Sequence, residues 1–321
     1  MPVIENSSYR PPILLKNNHV QTVVPTLFRK VDGINYTRER ISTPDGDFID
    51  IDISSISSDK ALILSHGLEG NSQRHYIKGM IKAFHNAGYD GIAFNMRGCS
   101  GVPNKRPETY HSGKTEDLHT VIQYILKHKN YKEISLVGFS LGANLTLKYV
   151  GEMGSTLHSK VKSAVAISAP CDLISSSIEL HKAKNYIYAK RFLISLLKKM
   201  DEKRDIIPPE IWEKRNSIKT LRDFDNVFTA PLNGFRDAED YWKKCSCKNF
   251  LSGITIPALI INSADDPILG TECYPIKEAQ SNKNLFLEIT KHGGHMGYIT
   301  FSDDGQYWHE RRTVQFITDF S

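Results

Sequence analysis

Apolar and polar positions alternate through residues 38–55 (RERISTPDGDFIDIDISS) on both sides of Pro44-Asp45-Gly46, which predicts a β-hairpin closed by a tight turn. After it, short apolar runs alternate with helix-period stretches. Strands are predicted at residues 61–65, 89–95, 133–138 and 161–168. Helices are predicted at 76–85, at 115–129 and from Leu141 onward. This alternation predicts a mostly parallel sheet with helices on both faces. The rhythm breaks between Cys171 and Cys247, where Lys, Asp and aromatic residues dominate and residues 189–200 have helical period. It resumes with strands at 256–262 and 285–289 and helices at 272–280 and 307–320. The reading is therefore one α/β core made of residues 1–170 and 248–321. A mostly helical cap, 171–247, is inserted after the sixth strand; at about 75 residues it is too long for a plain loop.

Composition narrows the class. The 321 residues are 40% hydrophobic and 24% charged, as in a globular protein able to bury a large core. Lys and Arg number 41 against 36 Asp and Glu, a mild excess without the clustered basic face that nucleic acid requires. No window approaches the roughly 18 apolar residues of a membrane span, and MPVIENSSYR has no signal-peptide pattern. Five cysteines, an odd number, point to reduced thiols and a cytoplasmic location.

The sharpest chemical signal is Gly138-Phe139-Ser140-Leu141-Gly142, a G-x-S-x-G pattern between a predicted strand and a predicted helix. A nucleophile elbow needs small neighbours there, because the chain turns sharply to lift the serine hydroxyl above the sheet. A serine hydroxyl needs a base, and the base an orienting acid. Asp265-Asp266 and His292-Gly293-Gly294-His295 both follow predicted strands, in the order Ser, Asp, His. Only one of two adjacent aspartates can reach the imidazole, and the other is left to cap a helix or pair with a cation. His295 is preferred over His292 because the glycine pair permits a close-turning approach. The backbone N–H groups of Leu68, in the loop 66–70 (HGLEG), and of Leu141 are the expected oxyanion donors.

Together these stretches resemble the YheT-like branch of the α/β-hydrolase superfamily, which includes bacterial esterases, plant embryogenesis-associated proteins and animal membrane-bound acylglycerol lipases and phospholipases. The resemblance runs through residues 11–29 (PPILLKNNHVQTVVPTLFR), 66–70, 95–101 (NMRGCSG), 138–144 (GFSLGAN), Phe224-Asp225, 229–235 (TAPLNGF), Asp240-Tyr241, 264–267 and 293–297. It implies the α/β-hydrolase fold, hydrolysis of carboxylic esters without metal or organic cofactor, Asp266 as the acid and His295 as the base. The animal members carry an N-terminal membrane anchor that is not found in this sequence, which weakens any transfer of their lipid substrates; because nothing marks a large exposed lipid-docking surface, short to medium acyl chains are expected rather than insoluble lipid. A lipase or phospholipase at a membrane surface, a thioesterase, and a binding protein on a hydrolase fold are the alternatives; the last would show a damaged triad.

Other signals are read as structural. His85 and Asp90 (H-x4-D) fall at a helix end. Asp45, Asp47, Asp50 and Asp52 are read as the solvated face of the hairpin. Cys245-x-Cys247 lacks the partners of a zinc site. Lys182, Lys184, Lys190, Lys198, Lys199 and Lys203 are read as the wet face of the cap, with peripheral membrane contact as the alternative. Tyr186, Tyr188, Phe192 and Trp212 are read as the cap's own core rather than a lipid-contacting surface, with a place in the acyl pocket as the alternative for some of them.

Overall fold

The computed structural model describes residues 3–320. Its nine strands are β1 (Val3–Ile4), β2 (Thr37–Ser42), β3 (Phe48–Ser54), β4 (Lys60–Ser65), β5 (Asp90–Asn95), β6 (Glu133–Phe139), β7 (Val161–Ile167), β8 (Ala258–Ser263) and β9 (Leu285–Thr290). They form one sheet in the order β1-β9-β8-β7-β6-β4-β5-β3-β2. Only the hairpin is antiparallel: β2 pairs with β3, and β3 with β5. The hairpin turn is closed by the Gly46 N–H donating to Thr43 O, with Gly46 at φ +83°.

The central strands are buried on both faces, which is why they read as unbroken apolar runs. Along β4, Ala61 and Ile63 face one layer while Leu62 and Leu64 face the other, and β6 repeats this with Leu136 against Val137 and Phe139. The helices are α1 (Asn18–Phe28), α2 (His75–Asn86), α3 (Thr115–His128), α4 (Leu141–Met153), α5 (Leu173–Leu180), α6 (Tyr186–Asp201), α7 (Pro209–Trp212), α8 (Leu221–Phe224), α9 (Ala230–Leu232), α10 (Ala238–Cys245), α11 (Ile276–Ser281) and α12 (Trp308–Asp319). One layer is filled by Leu118, Val121, Ile122 and Ile125 of α3 with Leu145 and Leu147 of α4. The other holds Ile77, Met80, Ile81 and Phe84 of α2 with Phe316 and Ile317 of α12. No described helix is long and apolar enough to cross a membrane.

The segment between β7 and β8 is helical. It has two small cores of its own, one around Met200, Phe224 and Phe228, the other around Tyr241 and Trp242. Because β1 lies ahead of the hairpin, this segment follows the seventh strand, which is the sixth of those the alternation pattern gives. Helix α1 is the main element the pattern does not show. Asn17 caps it by accepting from the Val20 N–H, but Pro25 and several β-branched residues give it little intrinsic preference.

Two charge readings are corrected. Asp47, Asp50 and Asp52 are buried rather than solvated. Arg40 grips Asp50 and Arg38 grips Asp52 through paired hydrogen bonds of 2.7–2.9 Å, while Arg97 reaches Asp45, Asp47 and Asp117. In the cap, Lys203 is also buried, donating to Asn104 Oδ1 and to the carbonyls of Pro107 and Glu108; burial lowers its pKa to about 8. His85 and Asp90 are structural: the ring lies 3.0 Å from Ser54 O, and the carboxylate accepts from Ser55, Ile56, Ser58 and Tyr131.

Burial sets the acid limit of the fold. It lowers the imidazole of His66 to about 4 and that of His111 to about 3, and it holds His309 well below its ordinary value. The unfolded chain therefore takes up protons that the folded chain refuses once pH falls below about 6.5, at about 1.4 kcal/mol of lost stability per pH unit for each such group. Asp225, raised by burial to about 6, works in the opposite sense and offsets one of them. Thermal unfolding followed by circular dichroism should give a Tm that is level between pH 7 and 8 and falls steadily between pH 6.5 and 4.5. A level profile across that range would contradict this account.

Candidate active site

Strand β6 runs into α4 through Ser140, whose backbone sits at φ +51°, ψ −117°, a conformation that costs a residue with a side chain about 1–3 kcal/mol. The turn is held because the Ser140 N–H donates to Ile167 O on β7 and the Ser140 carbonyl accepts from Ala143 and Asn144. Its flanking glycines are required by close approach. A Cβ at Gly138 would strike the Gly142 carbonyl and Ala143, and one at Gly142 would strike the carbonyls of Ser65 and His66 at the end of β4.

Ser140 Oγ lies 2.8 Å from His295 Nε2, and His295 Nδ1 lies 2.8 Å from Asp266 Oδ2 and 3.1 Å from Oδ1. A carboxylate only accepts, so Nδ1 carries the ring proton and Nε2 is left to accept from the serine hydroxyl. The Asp266 side chain is fully buried and is further oriented by the N–H groups of Ile268 and Leu269. Asp265 points elsewhere. Its Oδ1 accepts from the Gly294 N–H and its Oδ2 lies 3.2 Å from His292 Nδ1. The two adjacent aspartates thus hold the two histidines of the same loop, one each.

The loop 66–70 passes directly over the serine, and a Cβ on Gly67 would lie only 3.2 Å from Ser140 Cβ. His66 fixes the loop's start: its Nε2 accepts from the Met96 N–H and its Nδ1–H donates to Gly67 O at 2.8 Å, which suits the neutral imidazole that burial enforces. Among the described residues, the N–H groups of Leu68 and Leu141 have no hydrogen-bond partner. Glu69 follows at φ +54°. Its N–H donates to Tyr110 Oη, and its carboxylate accepts from Tyr110, from Ser195 Oγ and from Lys199 Nζ at 2.8 Å, the last two on α6. Burial raises the Glu69 carboxyl, and the Lys199 charge with these hydrogen bonds more than reverses it, leaving it below its ordinary value. Lys199 therefore does not belong to a wet face.

Three positions not read as functional from the sequence hold this arrangement: Thr22 and Ser168, which carry no motif of their own, and Lys199, read as wet face. Thr22 Oγ1 accepts from the His295 N–H, and Ser168 Oγ accepts from the Met296 N–H. The family-like stretch 11–29 was the available signal for Thr22; no local pattern marks the other two. A cavity of about 470 Å³ reaches Ser140 and His295, walled by α1, the loop 66–70, the start of α2 and α6. Tyr188 and Phe192, read as cap core, line this cavity, whereas Tyr186 is exposed and Trp212 packs inside the cap.

Comparison with known proteins agrees with this architecture. Residues 60–199 match the model of the alpha/beta hydrolase fold family. The chain is 32% identical over 314 residues to "Putative esterase YheT" of Escherichia coli (strain K12), covering 95% of this chain and 91% of that one. It is 30% identical to the phospholipase ABHD3 of Homo sapiens, covering 93% of this chain and 75% of the relative. Among solved structures, the Pyrococcus furiosus esterase Pf2001 superposes with a TM-score of 0.61 at 17% identity, covering 91% of this chain and 95% of that one, which speaks for the fold alone. With its elbow, its sheet order and a relative matched along nearly its whole length, the chain belongs to the YheT-like branch of the α/β-hydrolase superfamily.

Proposed function

We propose that this protein is a serine hydrolase of carboxylic esters with short to medium acyl chains. The observation that carries this reading is the continuous relay from Ser140 Oγ through His295 to the buried Asp266, with 2.8 Å at each step. Ser140 Oγ attacks the ester carbonyl carbon as its proton passes to His295 Nε2, and Asp266 stabilises the imidazolium. The carbonyl oxygen, now negative, is received by the N–H groups of Leu68 and Leu141, which are free to donate. The alcohol leaves with the proton from His295. Water then gives a proton to His295 and attacks the acyl-serine, and the acid departs with Ser140 restored. The cavity of about 470 Å³ beside Ser140 is of the size of a small-molecule site.

A second reading, a lipase or phospholipase at a lipid surface, is favoured by one observation that the sequence did not lead us to expect. Apolar side chains stand exposed on and just before α1 (Ile13, Leu14, Leu27, Phe28) and on α6 (Ile187, Ile194), the helices that wall the cavity. The phospholipase relative supports it as well.

A ladder of p-nitrophenyl esters from acetate to palmitate tests both readings. Wild type should be most active on the short and medium rungs of the ladder. Activity that rises to palmitate and increases on lipid aggregates would select the second reading. Ser140→Ala should lose turnover on every rung and lose labelling by a fluorophosphonate, with an unchanged circular dichroism spectrum; retained turnover would exclude Ser140 as nucleophile. Asp266→Asn should lower kcat by about 10⁴ by inverting the imidazole tautomer. Asp265→Asn should cost less than about tenfold, since its amide oxygen still accepts from Gly294. The reverse ranking would reassign the acid.

A further inference from the structure

The wall of the cavity away from the triad is positively charged. Lys30 and Arg29 at the end of α1, Arg74 and Lys78 at the start of α2, and Arg191 on α6 all line it. Arg29 is satisfied by a bidentate pair with Glu310, and the only carboxylate contributed by the lining besides the paired Glu69 is Asp32. Among the described residues, Lys30, Arg74, Lys78 and Arg191 have no carboxylate within ion-pair distance. Arg74 has one guanidinium nitrogen on Glu69 O, leaving other donors free. His75 in the same wall has a buried Nδ1 with no hydrogen-bond partner. Its imidazole is lowered to about 4, first by burial and then by the charges of Arg29 and Arg74. The first residues of the twelve-residue α2, His75 and Tyr76, line the wall too, so the positive end of the helix dipole adds to its positive charge.

Helix α1 runs from the triad end of the cavity, where Thr22 hydrogen-bonds the His295 backbone, to Arg29 and Lys30, about 10 Å farther along its axis. We propose that this wall is an anion subsite, and that the ester the protein hydrolyses carries a carboxylate or phosphate remote from the reacting carbonyl. The inference rests on the ester-hydrolase reading above and names the substrate class of that same site. A neutral ester leaves four cations facing each other across one cavity, whereas an anionic group at that end relieves their mutual repulsion and takes the donors that Arg74 leaves open.

Two matched pairs of substrates test this and separate the sources of the anion. The first is p-nitrophenyl octanoate against the mono-p-nitrophenyl ester of octanedioic acid, a carboxylate on the acyl side. The second is 1-octanoylglycerol against 1-octanoylglycerol 3-phosphate, a phosphate on the alcohol side. At low ionic strength the anionic member of at least one pair should have a kcat/KM about tenfold above its neutral partner, with the preference shrinking as salt is raised. In the Lys30→Gln, Lys78→Gln, Arg191→Gln triple variant that ratio should fall towards one. Equal or lower rates for the anionic member of both pairs, with the neutral members turned over, would overturn the subsite while leaving the hydrolase reading intact. Should none of the four be hydrolysed, the hydrolase reading falls, and calorimetric binding of the octanoyl pair to Ser140→Ala protein decides the subsite. A tenfold tighter association of the phosphate supports it, and equal affinities overturn it.

Discussion

The structure depends on a contact that leaves no room for a side chain. Where β6 turns into α4, the backbone of Gly142 lies against the carbonyls of Ser65 and His66, and Gly138 lies against Gly142 itself. That contact locks the end of β4 to the first turn of α4. It therefore fixes Ser140 in its strained conformation and sets the loop 66–70 immediately above the hydroxyl. The strain at Ser140 is tolerated because the two central strands and the helix that over-determine it are buried in both core layers. The histidine and aspartate arrive from the neighbouring strand ends, β9 and β8, whose parallel register brings both loops to the same edge of the sheet.

The parts of this arrangement that were legible in the sequence are those written in contiguous residues. Glycine, serine and glycine at alternate positions between a strand and a helix encode the elbow, because sterics at that turn admit little else. The burial of central strands on both faces likewise leaves an unbroken apolar run. What the sequence concealed is carried by distant partners. The hairpin aspartates look solvated until Arg38, Arg40 and Arg97 close on them. Lys199 and Lys203 look like their exposed neighbours on the cap, and only Glu69 and the carbonyls around Asn104 separate them. Helix α1 has poor local preference and is held by its contacts with the His295 loop.

The adjacent pair Asp265-Asp266 shows why a motif can give the place of a site without its atoms. Consecutive side chains leave the backbone in different directions, and here both find an imidazole and a set of backbone donors. Asp265 organises the loop that presents His295, by way of Gly294, His292 and the Asn18 amide, while Asp266 meets the ring that faces Ser140. Nothing in the dipeptide distinguishes these tasks.

Glu69 joins the cap to the loop over the serine, and that joint behaves as an interlock. Helix α6 can swing away from the cavity only by withdrawing Lys199 and Ser195 from a carboxylate that lies beneath it, and an ionised carboxylate left in that setting without its counter-charge is costly. The residue so disturbed adjoins Leu68, whose N–H faces the reacting oxygen on the proposed mechanism. On the proposed mechanism, the carboxylate that ties the cap down over the cavity therefore also steadies the loop that would receive the oxyanion.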